Sequence, residues 1–140
     1  MLAVMTDTTG ATVTTEPIDR FLTAIETATI PTCDAWAADA TLDATVPNWR
    51  FRAHGPDDIR DQYTGWFGNP ARFEQLRREG LGDGELVEYL LTWEEHGVPY
   101  AAHHVHIIRV EDNAIASDTV MCGGRWPASL LAEMEAASHA

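Results

Sequence analysis

Three of the six histidines crowd into Tyr100-Ala-Ala-His-His-Val-His-Ile-Ile-Arg-Val110, and a carboxylate, Asp118, follows in the next apolar run, Ala114-Ile-Ala-Ser-Asp-Thr-Val-Met121. An imidazole with an ordinary pKa of ~6.5 takes or gives a proton near neutrality, and a carboxylate beside it fixes its tautomer and favours its charged form. That pairing suits proton removal next to a carbonyl or expulsion of a β-hydroxyl, provided a donor steadies the enolate oxygen. His106, Tyr63 and the indole N–H of Trp36 or Trp49 are candidate donors. Two other readings stay open. A sheet also buries histidines that hydrogen bonds hold without further role, and His-x-His with an aspartate is the composition of a facial metal triad. The expectation is that no metal and no cofactor is used.

Alternation decides which of these groups meet. Two β-branched runs joined at Asp112-Asn113 predict an antiparallel hairpin, with His104, His106, Ile108 and Val110 on one face and His103, Val105, Ile107 and Arg109 on the other. On the second arm Ala116, Asp118, Val120 and Cys122 form one set, so pairing brings Asp118 towards His104 and His106. His103 is expected at a surface or interface, and His54, His96 and His139 lie at turns or in the tail and read as solvated.

The elements around the hairpin follow from periodicity. Residues 1–15, Thr-rich with Gly10, read as a disordered tail, and 16–140 as one domain. Glu16-Pro17 opens a helix carrying Ile18, Phe21, Leu22 and Ile25 on one side. Thr32 to Asp39 predicts a second, short helix with Asp34 in its first turn. Thr41–Val46 and Trp49–Ala53 alternate as strands, the latter with Trp49, Phe51 and Ala53 on one side. Pro56-Asp57-Asp58 opens a helix whose Ile59, Tyr63, Trp66 and Phe67 form an aromatic face. Strands over Arg72–Arg78 and Glu85–Trp93 lead into the hairpin, Gly123-Gly124 is expected to break the sheet, and Pro127 to start a last helix with Leu130, Leu131 and Met134 on one side. The class is α+β, with helices on one face of a curved antiparallel sheet. Trp36, Trp49, Tyr63, Trp66, Phe67 and Phe21 are the candidate substrate-binding aromatics, which suit a small hydrophobic, ring-containing ligand.

Three stretches, Phe21-Leu-x-Ala-Ile25, Gly55-Pro-Asp-Asp-Ile59-x-x-x-Tyr63 and Ile107-Ile-Arg-Val-Glu-Asp-Asn-Ala-Ile115, resemble the nuclear transport factor 2-like superfamily. The likeness is to its SnoaL-like members, the group of polyketide cyclases, dehydratases and ketosteroid isomerases, over about residues 16 to 137. It implies a cone-shaped sheet wrapped around helices with an internal pocket, a homodimer formed through the open sheet face, and cofactor-independent cyclisation, dehydration or isomerisation of a polyketide-, terpenoid- or steroid-like molecule. The resemblance puts the isomerases' oxyanion-hole acid at His106 and makes His104 or His106 with Asp118 similar to the cyclases' proton-moving pair. In an ungapped reading the cyclase aspartate falls on Val120. The isomerases' helix-one tyrosine is Phe21 here and their general base falls near Ala44 to Val46. Asp34 sits where the dehydratases have an aspartate, without the accompanying tyrosine, and the Asp-Arg-Asp set of an epoxide hydrolase would need Arg109, on the wrong strand face. A non-catalytic ligand-binding or interaction module of the same fold is the alternative.

Composition narrows the partners. In 140 residues, 9 Lys and Arg against 22 Asp and Glu give a formal net charge of −13, which repels phosphate backbones and anionic membranes. Neither nucleic acid nor a membrane is expected as a partner. Cys33 and Cys122 form no CxxC and no disulfide framework, and the short apolar start Met1–Met5 lacks a basic flank, so a reduced, cytoplasmic setting is expected. Cys122 and Met121 read as packing residues.

Overall fold

A computed structural model describes residues 14–138; most of the expected N-terminal tail, and His139, lie outside them. Helix α1 spans Glu16–Thr27, with proline in its first turn and Ala28 in the left-handed region closing it. Its buried side, Ile18, Phe21, Leu22 and Ile25, is the periodic set that the sequence announces. A single 3-10 turn, Ile30–Thr32, follows. The short helix expected over Thr32 to Asp39 does not form: strand β1 begins at Trp36 and runs to Val46. Ala35 O accepts from Ile115 N, and Trp36 pairs with Ile115. Sheet pairing overrides the helical propensity of the alanines here. Asp34 is consequently not a first-turn helix residue; it is an exposed loop carboxylate 3.6 Å from Arg20 Nε.

Strand β2 spans Trp49–His54, helix α2 Pro56–Trp66, and strands β3 to β6 Ala71–Gly80, Gly84–Glu95, Val98–Glu111 and Ala114–Pro127, before helix α3, Ala128–Ser138. One six-stranded sheet, curved and unclosed, has the order β2-β1-β6-β5-β4-β3. The expectation of a purely antiparallel sheet needs one correction, since β1 and β6, second and third in that order, pair in parallel. Two-residue turns set the long hairpins. Asp112 and Asn113 have φ of 50° and 61°, and His96 and Gly97 have 52° and 79°. Positive φ at both central residues gives a turn whose twist matches that of the strands, and Asp, Asn and Gly tolerate it best.

Helices α1 and α2 cover the inner face, where Ile18, Phe21, Ile25, Ile59 and Tyr63 meet Leu42, Val87, Tyr89, Ile108 and Val120, all buried. Each such apolar side chain contributes roughly 1.5–3 kcal/mol by leaving water. At the far edge Arg78 clamps the assembly, bidentate to Glu85 at 2.7 and 3.1 Å and reaching Asp19 of α1 at 2.8 Å. At Gly84 the close approach of β4 to β5 requires glycine: a Cβ there would lie 1.8 Å from Ile108 O.

Two further expectations change at the end of the chain. Gly123-Gly124 does not break the sheet. The register jumps from Ala102↔Arg125 to His104↔Cys122, so the glycines form a bulge, with Gly124 at φ 100°, and β6 continues to Pro127. A second bulge, between the Arg109↔Ser117 and Val110↔Ile115 pairs, moves Ala116 off the Asp118 face and puts Ile115 in the core instead. Helix α3 buries none of its residues; Leu130 and Met134 are exposed.

Candidate active site

Alternation along β5 puts His104 and His106 inward, and β6 brings Asp118 to them. Asp118 stands directly across from Ile108, not from either histidine. Its side chain instead reaches diagonally, and His106 Nδ1 lies 2.9 Å from Asp118 Oδ1. The other carboxyl oxygen accepts from Tyr63 Oη of α2 at 2.5 Å. On the opposite side of the His106 ring, Tyr89 Oη of β4 lies 2.9 Å from His106 Nε2 and 2.8 Å from His104 Nδ1. An unbroken chain, Tyr63–Asp118–His106–Tyr89–His104, therefore crosses the interior over four elements. Tyr63, Tyr89 and His106 are 0% exposed, Asp118 1% and His104 4%.

Apart from the outer ring nitrogen of His104, every polar side-chain atom in this chain has a partner, which is what makes its burial tolerable. Burial, then the Asp118 charge and its hydrogen bond, hold the Tyr63 hydroxyl far above its usual range; burial, followed by Asp118, does the same for Tyr89. Both phenols keep their protons. Burial, with His106 and His103 as lesser causes, lowers His104 to about 3, so it is neutral at physiological pH. Its Nε2 has no hydrogen-bond partner among the described residues.

His104 is also the end of the chain that meets open space. A cavity of about 240 Å³ lies between the C-terminal end of α2, the Pro47 turn and strands β4 to β6, lined by Trp66, Phe67, Leu91, Trp93, Ala102 and His104, with Cys122 and Arg125 at its β6 side. Of the sequence candidates, Trp66, Phe67 and His104 line it. Tyr63, Phe21 and Trp36 do not: they form an aromatic layer over the site, with Phe21 5.2 Å from Tyr63 and 5.6 Å edge-on to His106. Trp36 Nε1 is buried without a partner among the described residues. Trp49, paired with Val46 at the hairpin end of β2, is 69% exposed and does not line the cavity. His106 and Asp118 sit beneath the cavity wall, so neither contacts a ligand in it directly.

The polar groups of the outer surface and the thiol sort by face. His103 points outward, 2.9 Å from Glu88. Asp43 is held by Arg50 at 2.6 and 2.9 Å on the sheet surface, and Arg109 pairs with Asp83 and Glu111, far in role from a buried Asp-Arg-Asp set. Burial raises the Cys122 thiol above its ordinary value, which disfavours the nucleophilic thiolate. No group of three or more potential metal ligands occurs among the described residues. Both ring nitrogens of His106 are engaged by Asp118 and Tyr89.

No protein-family model matches the sequence, and no curated protein matches it. Solved structures do. An NTF2-like protein from Anabaena variabilis ATCC 29413 superposes with a TM-score of 0.65 at 14% identity, over 78% of this chain and 85% of that one. The fold is NTF2-like. A Bacillus subtilis protein whose description as an isomerase is provisional gives 0.63 at 16%, over 77% and 84%. An NTF-2 like protein of unknown function from Burkholderia xenovorans LB400 gives 0.57 at 21%, over 77% and 80%. In the NTF2-like frame the cavity lies between helix and sheet, where the curvature leaves room.

Tyr89 is the member of the chain that sequence reasoning missed. The run Glu85-Leu-Val-Glu-Tyr-Leu-Leu-Thr-Trp93 is apolar on both parities, so alternation alone does not say which side faces in. The register supplies what is missing: Tyr89 pairs with His104, and Val87 with His106. A tyrosine on the strand next to a histidine pair was the available signal. Tyr63 was expected to donate to a ligand, but its proton is committed to Asp118.

Proposed function

We propose that this protein is a cofactor-independent enzyme that moves protons on a small, mainly apolar molecule, in an isomerisation, dehydration or cyclisation, with His104 as the acid–base residue. The observation that carries the reading is that the one imidazole on the wall of an apolar cavity is the outer end of a buried hydrogen-bonded chain leading to a carboxylate. Such a constellation in a concave, largely apolar site is the usual signature of a catalytic pocket. The cavity, at about 240 Å³, falls below the ~300–1,000 Å³ of sites for drug-sized ligands. The substrate class is accordingly a compact carbonyl or β-hydroxycarbonyl compound with one apolar ring or chain, smaller than a multi-ring polyketide or steroid. Trp66 and Phe67 supply the apolar wall.

Hydrogen–deuterium exchange next to the carbonyl of a panel of small enolisable ketones, followed by proton NMR in D2O, tests this directly. His104→Gln is expected to slow exchange by ~10²–10⁴-fold, the usual contribution of a positioned acid–base group. Equal rates for the two proteins would remove the catalytic reading. A non-catalytic ligand-binding module is the second reading, favoured by the depressed basicity of His104, about 3, which alone makes a poor base at neutral pH. It predicts ligand-induced thermal stabilisation with no exchange.

The reading also has the protein as a cytoplasmic homodimer joined through the outer sheet face, where Leu86, Leu90 and Val105 are half-buried and Ile107 and Met121 exposed. A monomeric mass in solution would refute that pairing.

A further inference from the structure

We propose that Tyr89 couples the two histidines as a proton relay: it fixes His104 with its Nε2 lone pair towards the cavity, and passes the proton taken there inward, so that the charge comes to rest on His106 beside Asp118. The inference rests on the proton-transfer reading above and supplies what that reading lacks, a carboxylate-paired imidazole behind the one on the cavity wall.

The polarity of the chain follows from its inner end. As a carboxylate, Asp118 only accepts. Tyr63 donates to one of its oxygens and His106 Nδ1–H to the other. A neutral His106 then presents an unprotonated Nε2, to which Tyr89 O–H donates, 2.9 Å away. With its proton so directed, the Tyr89 oxygen accepts from His104 Nδ1–H at 2.8 Å. His104 is left with its lone pair on Nε2, the nitrogen without a protein partner. One acidic group thus sets the tautomer of a histidine two links away, and the link is the phenol oxygen of Tyr89.

Proton transfer reverses each bond in turn. A substrate C–H breaks and N–H forms at His104 Nε2, the bonding pair staying on the substrate as enolate. The Nδ1–H of His104 moves to the Tyr89 oxygen while the former Tyr89 hydroxyl proton moves to His106 Nε2. His104 ends neutral in the other tautomer, Tyr89 ends as a phenol, and His106 ends as an imidazolium 2.9 Å from Asp118. Running the same steps backwards returns the proton to a different atom of the substrate. Because Tyr89 gains one proton as it loses the other, no phenolate forms, in keeping with a hydroxyl that holds its proton strongly. The stored charge meets a carboxylate instead of the apolar surroundings of His104. The groups facing His106 are Tyr63 from α2, Tyr89 from β4, His104 from its own strand and Asp118 from β6, with Cys122 of β6 near Tyr89. Asp118 is the carboxylate among them. Tyr89 acts through His104, which makes it a positioning residue.

Nitrogen-15 NMR of the histidine rings reads the tautomers without any substrate, so this inference and the catalytic reading fail separately. In the unmodified protein at neutral pH, His104 and His106 are both expected as Nδ1–H tautomers. On acidification the first ring of this pair to become doubly protonated is expected to be His106, with His104 staying neutral and switching to Nε2–H. In Tyr89→Phe, which removes only the oxygen, the His104 tautomer should no longer follow the state of His106. A His104 already Nε2–H at neutral pH, a His104 that charges before His106, or a Tyr89→Phe protein with unchanged coupling would each overturn the relay. Should Tyr89→Phe fold poorly, the two measurements on the unmodified protein still decide.

Discussion

Strand β5 carries two histidine–carboxylate pairs, one on each face, and they are built alike. His106 and Asp118 are 2.9 Å apart, as are His103 and Glu88. In both the carboxylate sits directly opposite a neighbouring apolar residue, Ile108 or Val105, and leans diagonally to the histidine. The difference is what surrounds them. His106 and Asp118 have no exposed side-chain surface, whereas His103 and Glu88 retain 42% and 31%. Water solvates the outer pair whether or not its bond is made; the inner pair has only itself, Tyr63 and Tyr89. Equal geometry therefore carries unequal consequences, and bond length says little about how much a pair matters.

Breaking the inner pair should have the largest effect. Asp118→Ala leaves His106 Nδ1 and Tyr63 Oη without partners in a dry interior, and each buried polar group orphaned in this way costs ~1–3 kcal/mol. Urea unfolding is expected to show a loss of that size. Asp118→Asn, which keeps the volume and part of the hydrogen bonding, should recover much of the stability. An Asp118→Ala protein as stable as its parent would mean that water reaches the site and that the two faces are not different after all.

Much of this contrast was legible in the sequence, because a period of two is a geometric property of any strand. Parity alone separated His103 from His104 and His106 and placed Asp118 with the inner set. What parity does not carry is register. Two bulges, at Gly123-Gly124 and at Ala116, shift β6 against β5, and it is the side chain's diagonal reach that joins Asp118 to His106. Nor could local pattern place Trp36: the stretch Trp36-Ala-Ala-Asp-Ala40 has a helix-forming composition, and only its pairing with β6, distant in sequence, makes it a strand. The helices were read correctly where an amphipathic face coincides with a proline start, as in α1 and α2. In α3, which formed where it was expected, the apolar stripe touches β5 and β6 but none of its residues is buried among the described residues.

Acid should expose the same asymmetry at an intermediate scale. Folding lowers His104 to about 3, against ~6.5 for an unfolded histidine. Above ~6.5 both states are neutral there and the contribution to stability is complete; as pH falls towards 3, the unfolded chain binds a proton that the folded one refuses. Stability is then lost at up to ~1.4 kcal/mol per pH unit from this group. His104→Gln cannot titrate, so the stability difference between the two proteins, measured by urea unfolding at steps from pH 7 to 4, should shift in favour of the variant as pH falls. A difference that stays constant across that range would show that His104 is solvated enough to protonate in place.

The outer pair should respond least. His103→Gln or Glu88→Gln removes a contact that water replaces, and exposed ion pairs of this kind contribute ~0.2–1 kcal/mol. Glu88 also serves Arg77 at 3.2 Å, so part of its charge remains engaged when His103 is gone. The effect should fade further in 1 M salt, where screening acts within ~3 Å. A loss beyond ~2 kcal/mol, or one indifferent to salt, would place His103 in a desolvated setting. On this sheet face, beside the apolar stripe of Leu90, Val105 and Ile107, the homodimer proposed above would supply that setting. The smallest expected effect is therefore also the one whose failure would say most about how the outer face is covered.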